Sequence, residues 1–414
     1  MAEVTRRIGL SLGADICWPI AFTEILKSLD LAIPSGGDTL RFEVERMTID
    51  PFDLKEPKRY DLVIDRLTHW YHTRREWIKK AVMMDDVYVF NNPWSVQSME
   101  KSTSYAVMMR LGFPVPDTWL VPPHSYEDVA DLEYTLQRYA RHFDLGAIGR
   151  KLGYPMFMKP YDGGGWRAVS RLEDESSLRE AYEQSGKLVM LLQEAVDPFD
   201  RFVRCIGLGP QTHVVLYDPK APLHDRYTME TDFLSEDERE LIDNTTLIIN
   251  ALFRWDFNSC ELLHRDGVWH PIDFANPCPD SQVTSLHYHF PWLIKANLRW
   301  AVFAAATERR LSPLDWTRFF EAVDEDMTLQ ERIDVLAPIA HEHFETERFG
   351  EFCETHLPDL DAVVHDWFGG ESARDAVRRK VAAVFPPHEV DEFTGLFHDR
   401  VQRWREDDAA GAKS

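Results

Sequence analysis

Between Cys260 and Asp280 the chain reads CELLHRDGVWHPIDFANPCPD, which describes two antiparallel strands about an Arg-Asp-Gly turn. Glu261 and Asp273 fall on adjacent strands of that hairpin and Asn276 follows directly. Two carboxylates and an amide oxygen on one sheet face are hard ligands suited to Mg²⁺, which takes one or two carboxylates from a protein and completes its shell with water and substrate phosphates. The polar rim of an ordinary hairpin is written with the same residues. Upstream, FMKPYDGGGWR sets Lys159 near the end of a short apolar strand and follows it with Gly163, Gly164 and Gly165. Glycine permits positive φ and close backbone approach, so a triplet behind a cation suggests a lid whose N–H groups wrap an anion. A surface turn is the commoner use of such a run. Lys101 on a helix, a strand ending in Gln193-Glu194-Ala195-Val196, and Arg204 on another strand complete a set of cations and acids in one order along the chain.

These residues need a scaffold. The first 95 or so residues alternate β-like and helical runs: IGLSLG, WPIAFTEILKSL, LRFEVERMTI, DLVID, LTHWYHTRREWIKKAV and VYVFNN. Arg66 lies just past DLVID, at the strand end where ligands gather in open α/β sheets; a solvated surface arginine is the commoner alternative. Asn92-Pro93 is a helix start, leading into one helix that Gly112 ends. FPVPDTWLVP must be extended, and residues 125–150 read as a charged helical excursion. YPMFMKP and AVSRL form strands on either side of the glycines. Further strands are KLVMLLQEAVD, FVRCIGLG and THVVLYDP, then a helix near 235–254 and the hairpin. After about residue 290 the chain is mostly helical, with Trp300, Trp316, Phe319 and Phe320 at core-like spacings, and residues 406–414 read as a loose tail.

Composition excludes several classes. The chain has 414 residues, 44% hydrophobic and 12% aromatic, enough for more than one packed core. A net charge of −24 opposes bulk binding to nucleic acid or an anionic membrane. Cys17, Cys205, Cys260, Cys278 and Cys353 are odd in number and widely spaced, which suits reduced thiols in the cytoplasm. Asp15 interrupts the apolar run after Arg6 and Arg7 before a secretory segment could form, and no run approaches a membrane span. No P-loop, Rossmann glycine motif, H-E-x-x-H or G-x-S-x-G is present. His287 and His289 in LHYHF are placed to ligate a metal from one strand face, although such pairs are more often structural.

The order of these motifs, from about residue 60 to 285, resembles the ATP-grasp superfamily, especially its carboxylate–amine ligases: glutathione synthases, D-alanine–D-alanine ligases and ribosomal-protein glutamate ligases. The resemblance implies an α/β (α+β) ATP-grasp fold with an open α/β pre-ATP-grasp domain (1–93), a small subdomain with the Gly-rich lid (94–186), a large subdomain with the metal hairpin (187–290) and a helical extension with a tail (291–414). It implies that Lys101 and Lys159 bind the nucleotide, Lys159 at the α- and β-phosphates, beneath a lid of Gly163, Gly164 and Gly165. LLQEAVD is similar to the hinge that reads adenine, with Gln193, Glu194 and Val196 around the base and Asp197 or Asp200 at the ribose. Arg204 matches the arginine that faces the transferred phosphoryl group, and Glu261, Asp273 and Asn276 match the ligands of Mg²⁺ or Mn²⁺.

The chain departs from the family at three points. The last metal segment has two residues between Asp273 and Asn276 where the family has one; Phe202-Val203 replaces the acid before Arg204; and Trp166 follows the glycines directly. The activity implied is ATP-dependent joining of a carboxylate to an amine through an acyl phosphate, with Arg204 and Lys159 as catalytic groups. A kinase on the same fold and a nucleotide-binding regulatory protein are the alternatives. The expected partners are a small-molecule carboxylate and amine, without nucleic acid or membrane, and a homodimer is the commonest assembly for such enzymes. Lys220, Arg226 and Tyr227 in LYDPKAPLHDRY are placed to border the cleft.

Overall fold

The computed structural model describes residues 2–49, 51–57, 59–67, 71–97, 100–139, 142–162 and 167–411. The chain forms two compact units: Met1–Gln97, Val203–Cys260 and Asn276–Ser414 make the first, and Ser98–Phe202 with Glu261–Ala275 the second.

The first unit opens with β1 (Glu3–Ser11), α1 (Cys17–Leu29), β2 (Ile33–Ser35), β3 (Asp38–Arg46), β4 (Leu62–Asp65), α2 (His72–Asp85), β5 (Tyr88–Phe90) and α3 (Pro93–Gln97). The strands form a sheet of order β2-β3-β1-β4-β5, parallel except for β2. Leu62, Val63 and Ile64 are fully buried, as a central parallel strand covered on both faces requires. Asn92 caps α3, its Oδ1 accepting the Trp94 N–H at 3.0 Å and the Ser95 N–H at 3.4 Å.

The single helix expected from Pro93 to Leu111 is instead two. α3 ends at Gln97, and α4 (Lys101–Arg110) starts after Glu100, whose extended backbone (φ −62°, ψ 132°) breaks the helical path. Gly112, at φ 79°, lies just beyond the end of α4, where the left-handed region favours glycine.

The second unit continues with β6 (Thr118–Val121), α5 (Leu132–Tyr139), α6 (Leu145–Leu152), β7 (Met156–Pro160), β8 (Ser170–Leu172), α7 (Glu175–Ser185) and β9 (Met190–Glu194). Its strands form an antiparallel sheet of order β6-β9-β7-β8. Met156, Met158, Met190 and Leu192 alternate inward and pack with Leu145 and Leu178 of α6 and α7. The opposite alternation, Phe157, Lys159 and Gln193, is left for the other face.

Next come β10 (Arg201–Leu208), β11 (Gln211–Leu216), α8 (Glu236–Phe253), β12 (Phe257–Arg265) and β13 (Val268–Asn276), in a sheet of order β11-β10-β12-β13. The expected hairpin is β12–β13; its turn has Asp266 at φ 52° and Gly267 at φ 80°. Helices follow: α9 (Val283–Leu286), α10 (Phe290–Ala306), α11 (Trp316–Glu321), α12 (Leu329–Phe344), α13 (Thr346–His356), α14 (Leu360–Gly369), α15 (Glu371–Val384) and α16 (Val390–Ala409). Residues 406–409, expected in a loose tail, thus belong to α16.

α10 is buried almost all round and packs against β1, β4 and α1, while α14 and α15 also pack on α1. The helices after residue 290 therefore belong to the core of the N-terminal sheet. His287 and His289 lie in a 3-10 turn, not on a strand. His289 Nε2 donates to the Thr228 carbonyl (2.7 Å), and its Nδ1 meets His213 Nε2 at 2.8 Å. Burial lowers His289 to about 4, so this pair is neutral and internally satisfied. Among the described residues no helix is long and apolar enough to cross a membrane, and none of the five cysteines forms a disulfide.

Candidate active site

The second unit gathers the cations that the sequence singles out. β7 pairs with β9 so that Phe157 stands opposite Gln193 and Lys159 opposite Leu191, and β6 pairs with β9 so that Thr118 stands opposite Gln193. A polar row results across three strands. Thr118 Oγ1 accepts from Gln193 Nε2 at 2.8 Å, and Gln193 Oε1 accepts from Lys159 Nζ at 2.7 Å. Lys159 Nζ also donates to the Ile272 carbonyl at 3.2 Å and lies 5.1 Å from the Tyr105 ring centroid. Only 8% of Lys159 is exposed. Burial is the main cause that lowers its ammonium from the usual 10.5 to about 8; attraction to Asp273 opposes the shift and repulsion from Lys101 adds to it.

Lys101 is the first residue of α4 and is 6% exposed. Its Nζ donates to both carboxylate oxygens of Asp273, each at 2.9 Å. A cation at a helix N-terminus opposes the macrodipole, and the unsatisfied N–H groups there favour an anion. Asp273 supplies one. It sits on β13 with about a quarter of its side chain exposed, whereas the lysine is buried. Glu261 on β12 is 8% exposed, and its charge, like that of Asp273, acts on both Lys159 and Tyr105. Lys101, Lys159, Gln193, Glu261 and Asp273 thus form one neighbourhood, in which two buried ammonium groups face two carboxylates.

Tyr105 was not anticipated. It follows Lys101 by four residues on α4, which puts both on one helix face, and that spacing was the available signal. Its hydroxyl donates to the Ile272 carbonyl at 2.8 Å, and its ring packs edge-on to Phe274 at 5.4 Å. The same carbonyl receives Lys159, so Tyr105 and Lys159 are fastened to β13 at one point.

The hinge segment is tied locally. The Glu194 N–H donates to the Asp117 carbonyl at 2.9 Å, and Arg265 reaches the Ala195 carbonyl (3.3 Å) and Glu194 Oε1 (3.4 Å). Val196 is buried. Asp197 Oδ2 pairs with Arg171 Nη2 at 2.6 Å, and Asp200 with His264 Nδ1 at 2.7 Å. Gly163, Gly164, Gly165 and Trp166 lie outside the described residues.

Arg204 and Asn276 belong to the first unit. Arg204, on β10, donates to the Tyr227 hydroxyl at 2.5 Å, and its guanidinium lies 4.7 Å and 5.4 Å from the ring centroids of Tyr217 and Tyr227. Asn276 closes β13: its N–H donates to Asn258 Oδ1 (2.8 Å) and its Nδ2 to the Ser259 carbonyl (3.2 Å). The donors of Asn276 point into the sheet, and a cation could be met only by its amide oxygen. Arg226 Nε donates to the Ala221 carbonyl at 3.2 Å, and the Lys220 N–H to Asp218 Oδ1 at 2.9 Å.

Among the described residues no group of three or more His, Cys, Asp or Glu is arranged to hold a metal by itself. Glu261 and Asp273 nonetheless fit a Mg²⁺ bound mainly through phosphate oxygens, which needs only one or two carboxylates from the protein.

No family model and no curated protein matches the sequence. Among solved structures, the chain is similar to D-alanine–D-alanine ligase from Bacillus anthracis complexed with ATP, with TM-score 0.47 and 15% identity, covering 83% of this chain and 99% of that one. It is also similar to a RimK domain protein ATP-grasp from Sphaerobacter thermophilus, with TM-score 0.49, 13% identity and coverage of 70% and 98%. A third similarity is to the D-cycloserine synthetase DcsG, with TM-score 0.48, 17% identity and coverage of 73% and 100%.

Proposed function

We propose that this chain is an ATP-dependent ligase of the ATP-grasp type, joining a carboxylate to an amine through an acyl phosphate. The observation that carries the reading is the cluster of Lys101, Lys159, Glu261 and Asp273. Two ammonium groups are held out of water there, and Lys159 is only partly compensated by the carboxylates. Burying such cations is costly unless an anion arrives to use them, and a polyphosphate is the anion they suit.

In this reading Lys101 and Lys159 neutralise nucleotide phosphates, and the Thr118–Gln193 row holds the Lys159 ammonium in position. Gln193, Glu194, Val196 and Asp197 border the nucleoside, and Gly163, Gly164 and Gly165 cover the phosphates. Glu261, Asp273 and Asn276 would hold Mg²⁺, or Mn²⁺ in its place, which supplies charge neutralisation at the transferring phosphoryl group when bound. The acceptor carboxylate attacks the γ-phosphorus and ADP leaves; the amine then attacks the acyl carbon and phosphate leaves. Arg204 would stabilise charge on the phosphoryl group, an effect that needs placement and not a nucleophilic side chain. Five cysteines with no disulfide among them are consistent with work in a reducing compartment.

Calorimetry with a non-hydrolysable ATP analogue, with and without Mg²⁺ and beside Lys159→Ala, tests the nucleotide site. Binding that needs Lys159 supports it, and ADP release across pairs of carboxylates and amines then tests the ligase chemistry. Absence of nucleotide binding under every condition would sink the assignment.

A further inference from the structure

The first unit carries a second buried cation pair, which the proposed nucleotide chemistry does not use. Its parallel sheet changes direction about β1: the chain leaves β1 toward β3 on one side and enters β4 on the other. The crevice outside the carboxyl ends of β1 and β4 is therefore a topological switch point, where open α/β sheets accept small ligands. Asp15 follows β1 and Arg66 follows β4, and both are buried, at 4% and 9% exposure.

Arg66 Nε donates to Asp15 Oδ2 at 3.1 Å, and Gln282 Nε2 donates to Asp15 Oδ1 at 2.9 Å, so both carboxylate oxygens are engaged. Arg66 Nη1 is buried with no hydrogen-bond partner among the described residues. A buried guanidinium N–H in that condition calls for an explanation, since such groups are almost always paired. Lys380 of α15 approaches the same loop from the helices after residue 290. It is 4% exposed, and among the described residues its Nζ donates to the Ala14 carbonyl alone, at 3.3 Å. Asp280, half-buried, is the other carboxylate near Lys380, and its Oδ1 accepts the Gln282 N–H at 3.0 Å. An open groove of about 590 Å³ is lined by Gly13, Ile49, Leu67, Tyr71, His72 and Arg74; it reaches the residue after Arg66 and the loop that carries Asp15, while Arg66 and Lys380 themselves are not among the residues that line it.

We propose that Arg66 Nη1 and Lys380 Nζ form an anchoring site for a carboxylate of a small amino-acid or dicarboxylate substrate, whose remainder lies in this groove. One orphan guanidinium NH₂ group and one ammonium match the two oxygens of a carboxylate, whereas a phosphate dianion would ask for more donors. Gln282 sets the position of Arg66 through Asp15. Lys380 gives the C-terminal helices a direct part in substrate choice. That the anchored molecule is the ligase's substrate rests on the proposed function; that the site binds a carboxylate does not.

The test is direct binding to the full chain without nucleotide. Alanine of both hands, glutamate and succinate are titrated by calorimetry and by ligand-observed NMR, with inorganic phosphate as the control anion. Wild-type, Lys380→Met and Arg66→Lys proteins are compared, each checked for folding by circular dichroism. The expected result is that at least one carboxylate binds and that each variant weakens it by roughly tenfold or more, while affinity for an ATP analogue is unchanged. If no carboxylate binds wild-type protein, if both folded variants bind as well as wild type, or if phosphate competes as strongly as the best carboxylate, the proposal falls. Should a variant not fold, the wild-type titration and the phosphate competition still decide the matter. Failure of the ATP analogue to bind while a carboxylate does would overturn the ligase reading alone.

Discussion

Raising the pH through 8 should weaken nucleotide binding by removing one proton from Lys159. Burial lowers this ammonium to about 8. A bound polyphosphate favours the charged form and restores a higher value, so binding takes up a proton wherever free Lys159 is neutral. With a free-state value of about 8, roughly one Lys159 in ten is neutral at pH 7 and roughly nine in ten at pH 9. If only the ammonium binds phosphate, apparent affinity falls about tenfold between those values, or ~1.4 kcal/mol, and proton uptake approaches one per nucleotide at pH 9. The same shift affects folding with the opposite sense. Because the unfolded lysine keeps its proton to about 10.5, the cost of burying the charge is complete below about 8 and is relieved as pH rises between those values. Calorimetry at pH 7, 8 and 9 in buffers of different ionisation heat reads affinity and proton uptake together, and Lys159→Met should abolish both slopes. Constant affinity without proton uptake in the wild type would show that this ammonium does not carry the phosphate contact.

Asp273→Asn should remove metal-dependent ADP release while leaving the fold intact, at a cost of about 1–3 kcal/mol in denaturant unfolding, because buried Lys101 loses the ionised, partly exposed partner that it meets at 2.9 Å. Asp256 is buried, accepts the Tyr88 hydroxyl at 2.6 Å and Trp300 Nε1 at 3.0 Å, and is raised by burial to about 6. The unfolded carboxyl ionises first, so this group's contribution to stability falls as pH rises from about 4 to about 6, by up to ~3 kcal/mol; thermal unfolding of Asp256→Asn across that window should show a flatter pH dependence than wild type. Gly209→Ala should lower the melting temperature sharply, with a loss of about 2 kcal/mol or more. Gly209 is at φ +57°, and an added Cβ would stand 2.4 Å from the Trp300 ring.

The β12–β13 hairpin was legible because its turn announces itself: Asp-Gly supplies two positive φ angles between strands, which fixes Glu261 and Asp273 on paired strands. Lys159 could be found as a cation on a short strand before glycines. What could not be read is how far each charge is buried and what it meets. The extended backbone at Glu100, which makes Lys101 the first residue of a helix, falls inside a stretch whose sequence reads as one continuous helix. Arg66, for which solvent exposure was the commoner expectation, is buried against Asp15, a partner 51 positions away that local patterning does not reveal. The alternation in LHYHF has the period of a strand, but Pro291 two residues later starts α10, and the histidines become its approach.

The N-terminal sheet is made first and covered last. β1 and β4 lie within the first 65 residues, yet α10, which packs on both, ends at residue 306, and α15, which packs on α1, ends at residue 384. On the ribosome, the apolar face meant for α10 waits while more than two hundred residues are added, including all of the second unit. Contacts so distant in sequence close slowly and leave sticky surface exposed meanwhile. Chains truncated before α10 should accordingly be aggregation-prone, which makes the C-terminal helices a folding requirement for the N-terminal sheet as well as neighbours of the proposed carboxylate site.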